Sequence, residues 1–263
     1  MRERDRFGDA CDADRGLSEM LGYVIIFGIV LSSVLLLSAS GTSTLEEIRD
    51  TEQGTNAERA FDVLADNMAA VYKRDSPSRA TEVDVGNSEL YFGDQTAIKV
   101  ELLKGGTVEE SYVEAIRPVV LRTATDTKLV YEAGAVFRTE REGGTMLLDP
   151  PLLLSERRVH VPIIKTFTPS IQAVSGSTVL LRGKSTNRSV LFTPDTLASD
   201  PDELRLNVTS PRYEIWERHF EEETPLSSCT TDPSTETVSC NMAITTDTTV
   251  YVSLQEIELS LIL

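Results

Sequence analysis

Residues Met20 to Leu45 form a run of 26 residues without a charged side chain. A helix of about 20 apolar residues is enough to cross the hydrocarbon core of a bilayer. The apolar part of a cleavable secretory signal is shorter, about 7 to 15 residues. The run therefore predicts a retained membrane helix. Small residues at 38–41 leave a second interpretation open, in which a signal peptidase cuts there and releases a secreted protein.

Charged residues on either side of this run predict its orientation. Four arginines precede it, and Glu46 and Glu47 follow it. Cytoplasmic flanks of membrane helices are enriched in Lys and Arg, whereas acidic residues contribute little to this rule. We therefore expect a single-pass protein of the cell membrane, with its N-terminus in the cytoplasm and its C-terminal domain outside the cell.

The residues just before the apolar run resemble a processing signal. The letters DRG followed by LSEMLGYVIIFG are similar to the class III signal peptide of archaeal type IV pilins and archaellins. The resemblance implies that Arg15 and Gly16 end a leader and that Leu17 becomes the new N-terminus. The implied enzyme is a membrane-embedded prepilin peptidase acting on the cytoplasmic face. We expect the backbone at Gly16 to be extended and accessible, and the cut to keep the apolar helix as an assembly element.

Glu19 lies at the edge of the apolar run, where a carboxylate is costly unless it finds a partner. The same resemblance implies that Glu19 neutralises the amino group of a neighbouring subunit during assembly. It would be the third residue of the processed chain, whereas the bacterial pilin pattern has its acid at the fifth. A glutamate that reaches the lipid headgroups is the other interpretation, and the sequence leaves both open.

The charge balance limits the partners. The chain carries 42 acidic and 25 basic side chains, which gives a formal net charge of −17. Nucleic acid is not an expected partner, because phosphate binding needs a cationic surface. A dispersed acidic surface suits concentrated salt, where the Debye length falls to about 3 Å at 1 M and repulsion between carboxylates is screened. The composition favours a halophilic source, with an ordinary acidic protein as the alternative.

Stability should consequently depend on salt. On dilution from molar NaCl into a buffer of low ionic strength, we expect the protein to unfold, because unscreened repulsion among the surplus carboxylates opposes the compact state. Thermal unfolding followed by circular dichroism across a NaCl series measures this effect. A melting temperature that stays constant throughout the series would contradict it.

Two patterns divide the chain beyond the apolar run. Residues 45–75 carry apolar side chains at helical spacing, with an interruption expected near Gly54 and a new helix start at Thr55. From residue 80 onward, short alternating or β-branched runs are separated by turn residues, which is typical of strands. Paired glycines at 105–106 and at 143–144 predict hairpin turns.

These patterns predict an α+β fold. We expect a long N-terminal transmembrane helix that continues into an amphipathic helix, packed on a mainly antiparallel, β-rich extracellular domain. The predicted boundaries are 1–16 for a cytoplasmic leader, 17–44 for the transmembrane, pilin-like helix, 45–75 for the amphipathic segment and 80–263 for the extracellular domain.

Three stretches of this second part carry another resemblance. The segments LVYEAGAVFR, DPP and LNVTSPRYEIWERHF are similar to an uncharacterised family of haloarchaeal membrane proteins with pilin-like N-termini. The resemblance covers most of the chain. In physical terms, Pro211 would start a short helix that turns Tyr213, Trp216 and Phe220 inward, so that Trp216 anchors the core.

Cysteines and glycosylation triplets bear on export. Cys229 and Cys240 flank a short polar loop, and a disulfide between them would contribute about 3 kcal/mol if this part lies outside the cell. Two unpaired thiols are the alternative. The triplets that begin at Asn187 and Asn207 match the Asn-X-Ser/Thr pattern of N-glycosylation, which also arises by chance.

Catalytic motifs are missing from the sequence. The stretch GSTVLLRGKS ends like a phosphate-binding loop, but Thr178 stands where the Walker pattern requires glycine. There is no G-x-S-x-G, H-E-x-x-H or C-x-x-C motif, and His160 and His219 are the only histidines. We expect no catalytic residue, no metal site and no cofactor. The expected function is that of a non-enzymatic pilin-like subunit or minor pilin that assembles with other pilin-like subunits. A monomeric, membrane-anchored extracellular binding domain is the alternative.

Overall fold

A computed structural model describes the backbone of residues 9–141, 143–170, 173–193, 201–223 and 225–262. Within these ranges, the side chains of residues 9–19, 39–51 and 223 lie outside the description. By its internal contacts the chain forms two compact units, Met1–Gln53 and Gly54–Leu263. The second unit, which we call the body, contains every strand that the structure describes.

Two helices are present among the described residues. Helix α1 spans Asp9–Lys73, and α2 spans Tyr213–Glu223. The expected interruption at Gly54 is wrong, because α1 continues through this glycine and through Thr55. Helix α2 begins two residues later than predicted, at Tyr213 instead of Pro211, which is within the usual uncertainty of helix ends.

The described strands form three sheets. The spatial order of the first is β1 (Ser78–Asp84), β12 (Thr178–Phe192), β16 (Thr249–Ile262), β10 (Arg158–Phe167) and β9 (Leu153–Leu154). The order of the second is β11 (Ala173–Ser175), β2 (Glu89–Phe92), β5 (Val119–Arg122), β6 (Lys128–Glu132), β7 (Ala135–Glu140) and β8 (Gly143–Leu148). The order of the third is β14 (Ser227–Asp232), β15 (Thr237–Ala243), β13 (Glu203–Thr209), β3 (Thr96–Lys104) and β4 (Thr107–Ile116).

The α+β class and the mainly antiparallel pairing agree with expectation. The described pairings are antiparallel except that of β10 with β16, which is parallel. The hairpin predicted at Gly105 and Gly106 is confirmed, since both glycines have positive φ and join β3 to β4. This backbone favours glycine, because a Cβ atom is strained at positive φ.

Two clusters of buried side chains form the core of the body. The first draws on all three sheets and on α2, and includes Val100, Phe137, Val161, Leu206, Trp216 and Phe220. The second draws on the C-terminal part of α1 and on the first two sheets, and includes Phe61, Leu64, Met68, Leu121, Leu181 and Ile257. A Cβ atom at Gly183 would lie 2.5 Å from the sulfur of Met68, so a larger residue there would force the end of this side chain to move.

The long edge strands of the second and third sheets carry features that oppose pairing with another sheet. Strand β4 contains a bulge opposite the step from Leu102 to Leu103, and it carries Glu109, Glu110 and Glu114. Strand β8 also contains a bulge, and residues 150–151 after it are both proline. Bulges, charges and prolines are common means of preventing edge-to-edge association.

Candidate functional site: an uncovered apolar helix

The apolar segment Met20–Ser38 of α1 is the candidate functional surface. It is the only helix among the described residues that is long and apolar enough to cross a membrane, and none of it is buried by the rest of the chain. Tyr23 is 78% exposed and Leu37 is 73% exposed. Contiguous apolar surfaces of this size are rare on soluble proteins, which makes this segment the candidate site.

The dimensions of this segment suit a bilayer. At 1.5 Å per residue, its 19 residues extend about 28 Å, close to the roughly 30 Å hydrocarbon core. The hydroxyl of Ser33 donates to the carbonyl of Ile29 at 2.7 Å, so this polar group is satisfied within the helix. A Cβ atom at Gly22 or Gly28 would meet no other atom within 4 Å. The segment thus has the length and composition of a membrane anchor or a signal sequence.

The predicted processing residues lie in the same helix. Arg15, Gly16, Leu17 and Glu19 all fall within α1, and their side chains lie outside the described residues. The expectation of an extended backbone at Gly16 is wrong, since this residue is helical. A peptidase that needs an extended substrate would have to unwind the helix at this point.

A buried polar cluster of the body surrounds Glu132. This carboxylate is 1% exposed and accepts hydrogen bonds from the guanidinium group of Arg212, from Ser210 Oγ at 3.3 Å and from Trp216 Nε1 at 3.2 Å. Arg212 also lies 5.8 Å from the ring centre of Phe137. The cluster joins the end of β6 to the start of α2. Neighbouring donors occupy both carboxylate oxygens of Glu132, so the contacts of this carboxylate hold α2 against β6.

A second ion cluster connects three strands. Lys165 Nζ lies 2.9 Å from Glu114 Oε2 and 2.9 Å from Glu256 Oε1. Its hydrogen bond to Glu256, reinforced by the one to Glu114, raises the pKa of Lys165. The hydrogen bond from Lys165, with a second one from Asn187, lowers the pKa of Glu256. The lysine therefore stays charged and paired, and is no candidate nucleophile.

The two histidines lie apart from each other. His160 Nε2 is 3.0 Å from Ser253 Oγ on the neighbouring strand, and burial lowers the pKa of this histidine. His219 Nδ1 lies 3.5 Å from Asp149 Oδ1. Among the side chains that the structure describes, no group of three His, Cys, Asp or Glu residues could hold a metal ion.

The predicted disulfide and glycosylation residues lie on strands, whereas Trp216 lies on α2. A disulfide joins Cys229 of β14 to Cys240 of β15. Asn187 is exposed on β12, whereas Asn207 is partly buried on β13. Trp216 is buried in the first core cluster, 5.4 Å from both Phe137 and Phe220 between ring centres.

Sequence reasoning missed two arginine contacts. One is the pairing of Arg212 with Glu132; a glutamate that ends the apolar strand KLVYE was its only signal. The other is Arg188, which donates to Gln255 Oε1 at 2.7 Å and to the carbonyl of Val71 at 3.0 Å. Arg188 thereby holds the last turn of α1, and its sequence neighbours give no sign of this.

Comparison with known proteins gives a family but no activity. No curated protein and no solved structure matches the chain. A family described only as a family of unknown function, DUF7289, matches residues 15–260, and the chain belongs to that family.

Proposed function

We propose that this chain is a non-enzymatic, single-pass surface protein of a halophilic archaeon, and that it acts as a pilin-like subunit or minor pilin. The observation that carries the proposal is the apolar segment Met20–Ser38, which the rest of the chain leaves entirely uncovered. Retained after processing, it would anchor the protein and pack against the same helix of other pilin-like subunits.

The body would lie outside the cell in this arrangement. The transmembrane helix would continue into an amphipathic helix that packs on the extracellular sheets, and the acidic surface would face concentrated salt. Support comes from the buried positions of Phe61, Leu64 and Met68, and from a disulfide, which persists mainly in oxidising surroundings outside the cytosol. The membrane, a prepilin peptidase and neighbouring subunits are the proposed partners.

Glu19 would serve assembly. At the edge of the apolar segment its carboxylate would pair with the free amino group at Leu17 of a neighbouring processed subunit. Such a pair offsets the cost of holding two charges near hydrocarbon. The small residues Gly22, Gly28, Ser32 and Ser33 would let the helices approach closely.

The alternative is an anchored binding domain that stays monomeric. The bulged, acidic edge of β4 and the bulged edge of β8 favour it, because both oppose self-association of the body. Cross-linking in intact membranes separates the two proposals. Linked ladders through cysteines placed in the apolar segment support assembly, and monomers alone support the binding domain.

N-terminal sequencing of the mature protein tests the processing step. We expect the mature chain to begin at Leu17, and we expect Gly16→Asp to block both processing and assembly, because a charged side chain occupies the space that the peptidase leaves for a small residue. Gly16→Ala is the matched control and should still be cut. A mature start near Gly41 would indicate a secreted protein, and an intact Met1 a plain anchor; either result rejects pilin-type processing.

A further inference from the structure

The two Asn-X-Ser/Thr triplets occupy different positions in their sheets, and this difference carries an inference that rests on the proposed export of the body. Asn187 lies on β12 of the first sheet. Strand β1 pairs with Thr178 to Lys184 of β12 and goes no further. Beyond this point, β16 is the only strand that pairs with β12 among the described residues. Among the described strands, Asn187 therefore lies just beyond the point where β12 loses its partner β1.

The backbone around Asn187 is irregular as well as accessible. The register of β12 against β16 shifts between Ser185 and Asn187, so that Thr186 has no partner residue on β16. Asn187 itself is exposed. A bulge at a sheet edge bends the strand away from the ladder. An enzyme can approach this asparagine from the side without separating two strands.

The one contact of the Asn187 amide can survive modification. Asn187 is the register partner of Glu256 on β16, and its amide helps to lower the pKa of that carboxyl, which Lys165 also contacts. A primary amide has two N–H donors, and a glycan on the nitrogen replaces one of them. The remaining N–H is available to Glu256.

Asn207 is enclosed by comparison. It lies on β13, between Lys99 of β3 and Ser239 of β15, each about 4.8 Å away in the direction of the strand hydrogen bonds. Its Nδ2 atom donates to Glu101 Oε2 at 3.1 Å, and Glu101 is only 7% exposed. Burial alone would raise the pKa of Glu101, but the hydrogen bonds from Lys99 and Asn207 outweigh it and lower the pKa. A glycan on Asn207 would crowd this buried carboxylate.

We infer that Asn187 is the N-glycan acceptor of the body and that Asn207 is not modified. The co-reactant is a sugar carried on a lipid phosphate or diphosphate. A bond forms between Nδ2 of Asn187 and the anomeric carbon of the sugar, while the bond from that carbon to the phosphate oxygen breaks. The lipid phosphate leaves with the electron pair of this bond, and one amide proton passes to a base of the transferase.

The position of the acceptor also gives the glycan a physical role. Val190 follows on the same open stretch of β12 and is 63% exposed. A hydrated glycan at residue 187 would cover this edge, which would hinder pairing with another chain.

Peptide mass spectrometry tests the inference on the full chain. The protein is produced in a host that N-glycosylates its own exported proteins and is compared with N187Q, N207Q, S189A and S189T. We expect a glycopeptide that contains residue 187 in the wild type, in N207Q and in S189T, and its loss in N187Q and in S189A. S189A keeps the asparagine and removes only the triplet, so it separates modification from a change at residue 187.

Protease added to intact cells tests the proposed topology of the body separately from the assignment of Asn187 as the glycan acceptor. If the body is digested from outside while Asn187 is unmodified, or if the glycan is found on Asn207, the acceptor assignment is overturned and the proposed topology stands. If the body resists external protease and Asn187 is unmodified, both are overturned.

Discussion

A variant that begins at Gly54 should be a soluble, folded protein, whereas the full chain should require detergent. None of the segment Met20–Ser38 is buried, and the buried apolar side chains of the described residues begin at Ala57. A chain that begins at Gly54 therefore keeps every buried apolar side chain among the described residues. We expect the free energy of unfolding of the body to change by no more than about 0.5 kcal/mol, as for substitutions outside the core.

The new end of the helix should also be well formed. In the full chain Thr55 lies inside α1, but in the truncated chain it becomes available as the N-cap residue. Glu58 then stands three residues further on, as in a capping box, although in the full chain it pairs with Arg138 at 2.7 Å. The sequence pattern that gave a wrong helix start for the full chain should give the right one here.

Sedimentation and circular dichroism of the truncated variant at high salt measure these effects. Phe61→Ala in the same background is the control. It should lower the free energy of unfolding by about 3–5 kcal/mol, because Phe61 is fully buried in the second core cluster. A truncated chain that aggregates or loses its cooperative transition would show that the body depends on the first unit for folding.

Local patterns predicted the parts of the fold that depend on local physics. The hairpin at Gly105 and Gly106, the inward position of Trp216 and the presence of α2 follow from turn chemistry and from apolar spacing within a few residues. The sequence also predicts that the apolar segment can span a bilayer, because this ability depends on length and composition alone.

Other features depend on contacts between distant parts of the chain. A glycine inside a helix costs roughly 1 kcal/mol relative to alanine, yet α1 continues through Gly54, three residues before its buried side chains begin at Ala57. The parallel pairing of β10 with β16 brings together segments that are 91 residues apart at Arg158 and Thr249. No periodicity within either strand encodes its partner. For the predicted processing residues, by contrast, the sequence motif is the only indication of a function, because the structure does not describe their side chains.

Replacing Glu132 should strongly destabilise the body. Its side chain is 1% exposed and that of its partner Arg212 is 11% exposed. Removing one member of a buried ion pair costs about 3–5 kcal/mol, because the other charge is left without a partner in a medium of low polarity. Glu132→Ala would strand the guanidinium group of Arg212 and the indole N–H of Trp216 together. We therefore expect a loss of this size, with the start of α2 released from β6.

The chain offers a matched control and an internal reporter. Glu89 and Arg122 form a similar pair on the same sheet at 2.6 Å, but their side chains are 36% and 49% exposed, so Glu89→Ala should cost less than about 1 kcal/mol. Trp216 is the single tryptophan, and its indole N–H donates to Glu132. Denaturant unfolding followed by tryptophan fluorescence therefore reports both the global stability and the local environment of the pair.

A double-mutant cycle separates the pair from the packing around it. Arg212→Met and Glu132→Leu should lower the free energy of unfolding by similar amounts, since each leaves one buried charge without its partner. The double variant, with neither charge, should be less destabilised than the sum of the two single variants by more than about 1 kcal/mol, because the stranded charge is gone. Additive losses would mean that the two charges do not act on each other. A loss below about 1 kcal/mol in Glu132→Ala would mean that water reaches the site, and that the apolar contacts of Trp216 and Phe220 hold α2 in place without it.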